Sequence, residues 1–348
     1  MKNNKKLIIG FLAILLLTIV WITFSQRESG KFLSGSGSEN QLTQLNGMTH
    51  PLQILQMRER NYPGSEIVIE DELSSQNNYK QYIASYRSDG LKIYAFLTIP
   101  QEDPPPSGWP VIVFNHGYIP PEDYQTQERY GAYVDVFARN GYVVFKPDYR
   151  GHGNSDGNPE GAYFSDAYTV DVLNAVSGVK KLKDVDANRI GMWGHSMGGS
   201  ITLRSMVVSK DIKAGVIWAG VVGSYEDMMN RWQRRIPWRP SQRENMAHRP
   251  SRDDLIEQFG DFSTNPQFWK SIAPINFVAD ISGPIQLHHG LADESVPPEF
   301  SESLKAALEA ASKTVEYYTY DGADHNISGA SFNLAMQRSI EFFDRYLK

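Results

Sequence analysis

The chain has 348 residues, 41% of them hydrophobic, no cysteine and a formal net charge of −6. That length and apolar content allow a large core, while the lack of cysteine excludes disulfides, thiolate metal ligands and thiol catalysis. The acidic balance offers no basic field for a polyanion, and no window concentrates Lys and Arg with aromatic residues in the manner of a nucleic-acid site, so nucleic acid is not an expected partner.

In chain order, Lys2, Lys5 and Lys6 precede an uncharged apolar run from Leu7 to Phe24. As a helix this run would reach about 27 Å, close to the thickness of a bilayer core. Residues 1–27 therefore read as a membrane anchor or a cleaved signal segment, and the absence of a small-x-small pair around Phe24-Ser25-Gln26-Arg27 favours the anchor. Either way the lysines stay cytoplasmic and the rest is expected outside the cytoplasm, membrane-anchored or secreted. Residues 28–65 read as a flexible Ser-, Gly- and Asn-rich tether followed by a short helix around Leu52, Leu55 and Met57.

The main domain is expected over residues 66–348. Strand patterns cover Glu66–Glu70, Tyr79–Arg87 and Leu91–Ile99, the last two joined by a Ser-Asp-Gly hairpin turn. From Val111 onward, apolar runs suited to strands buried on both faces alternate with helical patterns, ending in a helix that reaches Lys348. Residues 224–273 interrupt this alternation with a polar, Trp-containing insertion. An antiparallel start followed by a parallel remainder predicts a mostly parallel twisted α/β sheet flanked by helices, with a helical lid.

Within "RIGMWGHSMGGS", Gly194-x-Ser196-x-Gly198 sits between a strand ending at Trp193 and a helix beginning at Met197, as a nucleophile elbow requires. A serine hydroxyl needs a base with a conjugate-acid pKa near the working pH, and histidine suits best. Of eight histidines, His50 lies in the tether region, His248 in the insertion, His116 and His152 on early loops, and His288 and His289 at a strand end. His195, the second residue of the elbow, is expected to face away. His325 follows the last strand and precedes the last helix, at the sheet edge where catalytic loops gather, and is the expected base. Asp293, on the loop after the preceding strand, is the expected orienter of that imidazole, with Glu294, Asp321 and Asp324 as loop carboxylates or helix caps. The strand ending in Asn115-His116-Gly117-Tyr118 places the N–H of Tyr118 to pair with that of Met197 as an oxyanion hole. "DYRGHGNSDG", residues 148–157, lacks the rest of any phosphate-loop or dinucleotide pattern, so its His152 and Asp156 read as loop-bracing residues. Neither cofactor nor metal is expected.

Taken in this order and spacing, "NHGY", "DYRGHGNSDG", "GHSMGG", "HHGLADESVP" and "GADHN" resemble the α/β-hydrolase superfamily over roughly residues 90–348. Within it they resemble the catalytic domain of the prolyl oligopeptidase family and the dienelactone-hydrolase-like esterases. The resemblance implies a serine hydrolase with Ser196 as nucleophile, Asp293 as orienter, His325 as base, and Tyr118 and Met197 as oxyanion donors. It implies an ester or a short peptide as substrate and leaves oligomeric state open. Full oligopeptidases of this type carry a large β-propeller, which the roughly 65 residues between the apolar run and the first core strand do not accommodate. Specificity is then expected from the insertion, with Trp232, Trp238, Phe259, Phe262, Phe268 and Trp269 lining an apolar pocket and Arg231, Arg234, Arg235 and Arg239 as solvated lid charges. The alternative is a non-catalytic binding module on the same scaffold.

Overall fold

The computed structural model describes residues 49–76, 78–232, 239–247 and 249–348. The expected membrane segment, the tether up to residue 48, Arg234, Arg235, Trp238 and His248 lie outside the described residues. No helix among the described residues is long and apolar enough to cross a membrane.

Among the described residues nine strands form one sheet: β1 (Val68–Glu72), β2 (Tyr79–Ser88), β3 (Leu91–Pro100), β4 (Trp109–Asn115), β5 (Val143–Pro147), β6 (Val185–His195), β7 (Ile212–Trp218), β8 (Ile285–Gly290) and β9 (Val315–Tyr320). Their spatial order is β1-β2-β3-β5-β4-β6-β7-β8-β9. Pairings from β1 to β5 through β3 are antiparallel, and all those from β5 across β4 to β9 are parallel. The turn between β2 and β3 places Asp89 and Gly90 at φ 51° and 83°, the paired left-handed conformation of a two-residue hairpin.

The apolar run of β4 is explained by coverage on both faces. Val111 and Val113 pack with Val172 and Val176 of α3 (Ala167–Val179) and Ile201 of α4 (Met197–Val208). The alternate residues Ile112 and Phe114 pack with Phe137 of α2 (Gly131–Arg139) and Phe342 and Phe343 of α10 (Ala330–Leu347). Each such buried side chain contributes about 1.5–3 kcal/mol, so a shift of β4 register by one residue would exchange two well-filled cores.

The segment after Thr49 packs on this body. Helix α1 (Ile54–Glu59) buries Ile54 and Met57, with Leu52 just before it, and buried Arg204 of α4 donates to the Leu52 carbonyl at 3.1 Å. Ile54, rather than the expected Leu55, is the buried partner of Met57.

The insertion contains α5 (Tyr225–Asn230), α6 (Gln242–Met246), α7 (Arg252–Phe259) and α8 (Pro266–Ile272). Ser224, Ser241, Ser251 and Asn265 cap them through their side chains, each satisfying an N–H that the first helical turn leaves without a partner. Phe259 and Phe268 stack at 4.0 Å and are buried with Trp269, while Phe262 stacks on Trp269 at 4.6 Å. These rings build a core between the insertion and Leu52 of the segment before α1, and do not line the cleft at Ser196, contrary to the sequence expectation. Helices this short cannot stand alone in water, and the aromatic rings are what they bury. After a 3-10 turn at Pro274–Asp280, β8, α9 (Glu299–Ala310), β9 and α10 complete the chain.

Candidate active site

Ser196 occupies the one residue between β6 and α4, with φ 55° and ψ −116°. A non-glycine residue in that region carries about 1–3 kcal/mol of strain and persists only where its surroundings over-determine it. The N–H of Ser196 donates to the Trp218 carbonyl at 3.0 Å, and its own carbonyl accepts from Gly199 at 3.0 Å and Val221 at 3.1 Å. A Cβ on Gly194 would collide with the Gly198 carbonyl, and one on Gly198 with the Asn115 carbonyl, so both positions need glycine for close approach. Met197 is the first residue of α4, where a backbone N–H has no acceptor within the helix.

The loop leaving β4 brings Gly117 and Tyr118 to the same cleft. The Tyr118 hydroxyl donates to Glu244 Oε2 of α6 at 2.7 Å, and Glu244, buried, receives Arg249 at 2.6 Å on its other oxygen. The insertion is thus tied directly to this loop.

His325 lies on the loop between β9 and α10, and its Nδ1 is 2.7 Å from Asp293 Oδ2. Asp293, on the loop after β8, has no exposed side-chain surface. Its Oδ1 accepts the N–H groups of Ser295 and Val296 at 2.7 and 2.9 Å, and its Oδ2 also meets His289 Nε2 at 3.1 Å. Burial opposes ionisation, but the bonds from His289 and His325 outweigh it and hold this carboxyl well below the ordinary carboxylate range. A permanently ionised carboxylate only accepts, so it sets the proton of His325 on Nδ1 and leaves Nε2 as the basic nitrogen.

Ser196, His325, Gly117, Tyr118, Glu294 and Val296 line one cavity of about 310 Å³, together with Tyr130 and His195. Residues as far apart in the chain as Gly117 and Asn326 meet there because the parallel strands β4, β6, β8 and β9 all end at this edge of the sheet. The rival carboxylates fall elsewhere in role: Glu294 lines the cavity, Asp321 is exposed, and Asp324 Oδ1 accepts loop N–H groups of Asn326 and Ser328. His50 packs edge-on against Phe259, His288 bonds to Tyr320, and His116 is sandwiched between Tyr124 and Tyr149. In "DYRGHGNSDG", Asp156 Oδ2 accepts the Lys92 N–H at 2.8 Å, His152 Nδ1 lies 3.3 Å from the Arg150 carbonyl, and Arg150 pairs with buried Asp171 at 2.8 Å.

Two histidines at the site escaped sequence reasoning. His289 is a second donor to Asp293, with its Nδ1 2.7 Å from Ser301 Oγ; its i,i+4 spacing from Asp293 was the available signal. His195 is buried and does not face away from the site, since its ring centroid is 4.6 Å from that of His325. Elbow geometry directs Ser196 to the cleft, and the tight turn leaves the preceding side chain beside the loop of His325.

Residues 129–348 match the family described as the prolyl oligopeptidase family. The uncharacterized peptidase YtmA of Bacillus subtilis (strain 168) is 25% identical over 253 residues, 72% of this chain and 88% of YtmA. Among solved structures, acylaminoacyl peptidase of Pyrococcus horikoshii superposes with a TM-score of 0.61 at 21% identity, over 78% of this chain and 42% of that one. Acetyl xylan esterase from Paenibacillus sp. R4 superposes with a TM-score of 0.61 at 16% identity, over 84% of this chain and 92% of the esterase. The chain therefore spans less than half the length of the Pyrococcus peptidase. These likenesses show the α/β-hydrolase fold. The family match spans well over half of the chain and includes the elbow, the Asp293 loop and the His325 loop, and so this chain belongs to the prolyl oligopeptidase family of serine hydrolases.

Proposed function

We propose that this chain hydrolyses an ester or a short peptide through an acyl-enzyme on Ser196, with His325 as general base, Asp293 as its orienter, and the N–H groups of Tyr118 and Met197 as oxyanion donors. One observation carries the reading: His325 Nδ1 sits 2.7 Å from Asp293 Oδ2 while the same imidazole and strained Ser196 line a single cavity.

His325 Nε2 takes the Ser196 hydroxyl proton as Oγ attacks the carbonyl carbon. The carbonyl oxygen becomes an oxyanion between the two N–H donors, each worth about 3 kcal/mol of barrier. Collapse breaks the bond to the alcohol or amine, which leaves with the proton from the imidazolium. Water, deprotonated by the same nitrogen, then releases the acid and restores Ser196. Both substrate classes run through this tetrahedral intermediate. The cavity of about 310 Å³ sits at the small end for a ligand pocket and supports a small acyl group or a short peptide. The apolar run Leu7–Phe24 supports an extracytoplasmic place of action, anchored in or released from a membrane.

The test is covalent labelling of the purified chain by a fluorophosphonate, followed by hydrolysis of short-chain nitrophenyl esters beside aminoacyl and dipeptidyl amides. Labelling at Ser196 that Ser196→Ala abolishes is the expected result. A folded chain that takes no label at Ser196 refutes acyl transfer and leaves the binding-module alternative. Indifference to every amide restricts the activity to esters.

A further inference from the structure

Three hydrogen bonds at the cleft serve no step of that reaction. The Gly117 N–H lies 2.9 Å from the Tyr130 hydroxyl oxygen, that hydroxyl lies 2.7 Å from His195 Nδ1, and His195 Nε2 lies 2.9 Å from the His325 carbonyl oxygen. The carbonyl can only accept, so Nε2 carries a proton, and burial keeps the ring neutral, so Nδ1 is bare and the Tyr130 O–H donates to it while its oxygen accepts the Gly117 N–H. All donors and acceptors along the chain are then matched, which requires a neutral His195.

We propose that Tyr130 and His195 are positioning residues that hold the oxyanion-hole loop and the loop of the general base in register with the nucleophile elbow. The inference rests on the acyl-transfer reading of the same site. His195 directly precedes Ser196, Gly117 directly precedes the proposed donor Tyr118, and the carbonyl that His195 holds belongs to His325 itself. One buried imidazole therefore ties the nucleophile, the oxyanion donor and the base, which come from three separate loops. Such constellations need placement to about 0.5 Å, and a 1 Å error costs about 100-fold in rate.

Independent features of the backbone support this assignment. Arg129 and Tyr130 are consecutive non-glycine residues in the left-handed region, at φ 57° and 56°, just before α2. That strain is retained where the surroundings impose it, and it turns the Tyr130 ring onto Phe114 and Tyr133 at 5.5 and 5.4 Å. A Cβ on Gly117 would lie 2.6 Å from the Tyr130 hydroxyl and 3.1 Å from His195 Nδ1, so the loop approaches the pair as closely as glycine permits. Burial, reinforced by the neighbouring His325, pushes His195 down to about 3 and keeps it neutral.

Tyr130→Phe removes only the hydroxyl and keeps the ring packing. We expect kcat to fall about 10- to 100-fold with KM changed less than about twofold, and fluorophosphonate labelling of Ser196 to slow in parallel. His195→Gln keeps a donor for the His325 carbonyl and should retain more kcat than His195→Leu, which has none. Tyr142→Phe, which breaks a 2.6 Å bond to Asp344 far from the site, is the control for lost buried hydroxyls and should leave kcat unchanged. With the unaltered chain labelled at Ser196, wild-type kcat in Tyr130→Phe and His195→Leu overturns the relay alone. So does an equal loss of kcat in Tyr142→Phe, or equal activity in His195→Gln and His195→Leu. If the unaltered chain takes no label at Ser196, the acyl-transfer reading falls and the relay with it.

Discussion

Nδ1 of His325 lies 2.7 Å from Oδ2 of Asp293, and the carboxylate that receives it is held by three further donors, from His289, Ser295 and Val296. Asp293 is therefore a fixed acceptor and not a mobile counter-ion. In the proposed roles the three residues act as one unit, so Ser196→Ala and His325→Ala should each lower kcat by about 10⁶-fold, and Asp293→Asn by about 10⁴-fold. Steady-state kinetics on whichever nitrophenyl ester is turned over provides the check, and normal turnover by His325→Ala would remove the assigned base.

The elbow should fail for a steric reason that differs from ordinary turn strain. In Gly198→Ala the new methyl collides with the Asn115 carbonyl, a backbone oxygen that cannot swing away. Gly90→Ala meets nothing within 4 Å but sits at φ +83°. The expected outcome is loss of Ser196 labelling in Gly198→Ala, and in Gly90→Ala full labelling with about 1 kcal/mol lost from the unfolding free energy. Equal labelling rates in the two variants would contradict the packing at the elbow.

Arg150 and Asp171 test stability without touching the chemistry. Three hydrogen bonds run from the Arg150 guanidinium and one from its N–H to a carboxylate with no exposed surface, and Asp89 at 3.2 Å is a weaker second partner. Asp171→Asn leaves a nearly buried cation short of its counter-charge and should cost about 3 kcal/mol in urea unfolding. The folded fraction should still label at Ser196.

Acid should unfold this protein from mildly acidic pH downward. Burial pushes His195 and His288 down to about 3 and His152 to about 4, and His116 moves in the same direction. Between those values and the ordinary histidine range near 6.5 the unfolded chain holds protons that the native state does not. Stability therefore rises with pH across that window, each histidine contributing up to about 1.4 kcal/mol per pH unit. Asp148, pushed up to about 6 by burial, opposes one of them. The urea midpoint should fall steadily from pH 6.5 to pH 4.5, and a midpoint that rises over this range would contradict neutral buried histidines.

What could be read from residues alone was local or periodic. The apolar runs of β4, β5 and β7, the helical spacing after Met197 and the glycines at positions 194 and 198 each follow from steric and hydrophobic rules acting over a few neighbours. Ser196, Asp293 and His325 could be picked out as candidates because each follows a recognisable strand in chain order. The convergence of Gly117, Tyr130, His195 and His325 was decided by tertiary structure, since no periodicity links a turn residue before α2 to an imidazole on β6. The aromatic residues of the insertion make the same point: their composition announces burial, but whether Phe259, Phe268 and Trp269 face a substrate or each other depends on how short capped helices pack. Side-chain identity sets how strongly a group must be buried or bonded, and only the assembled chain selects its partner.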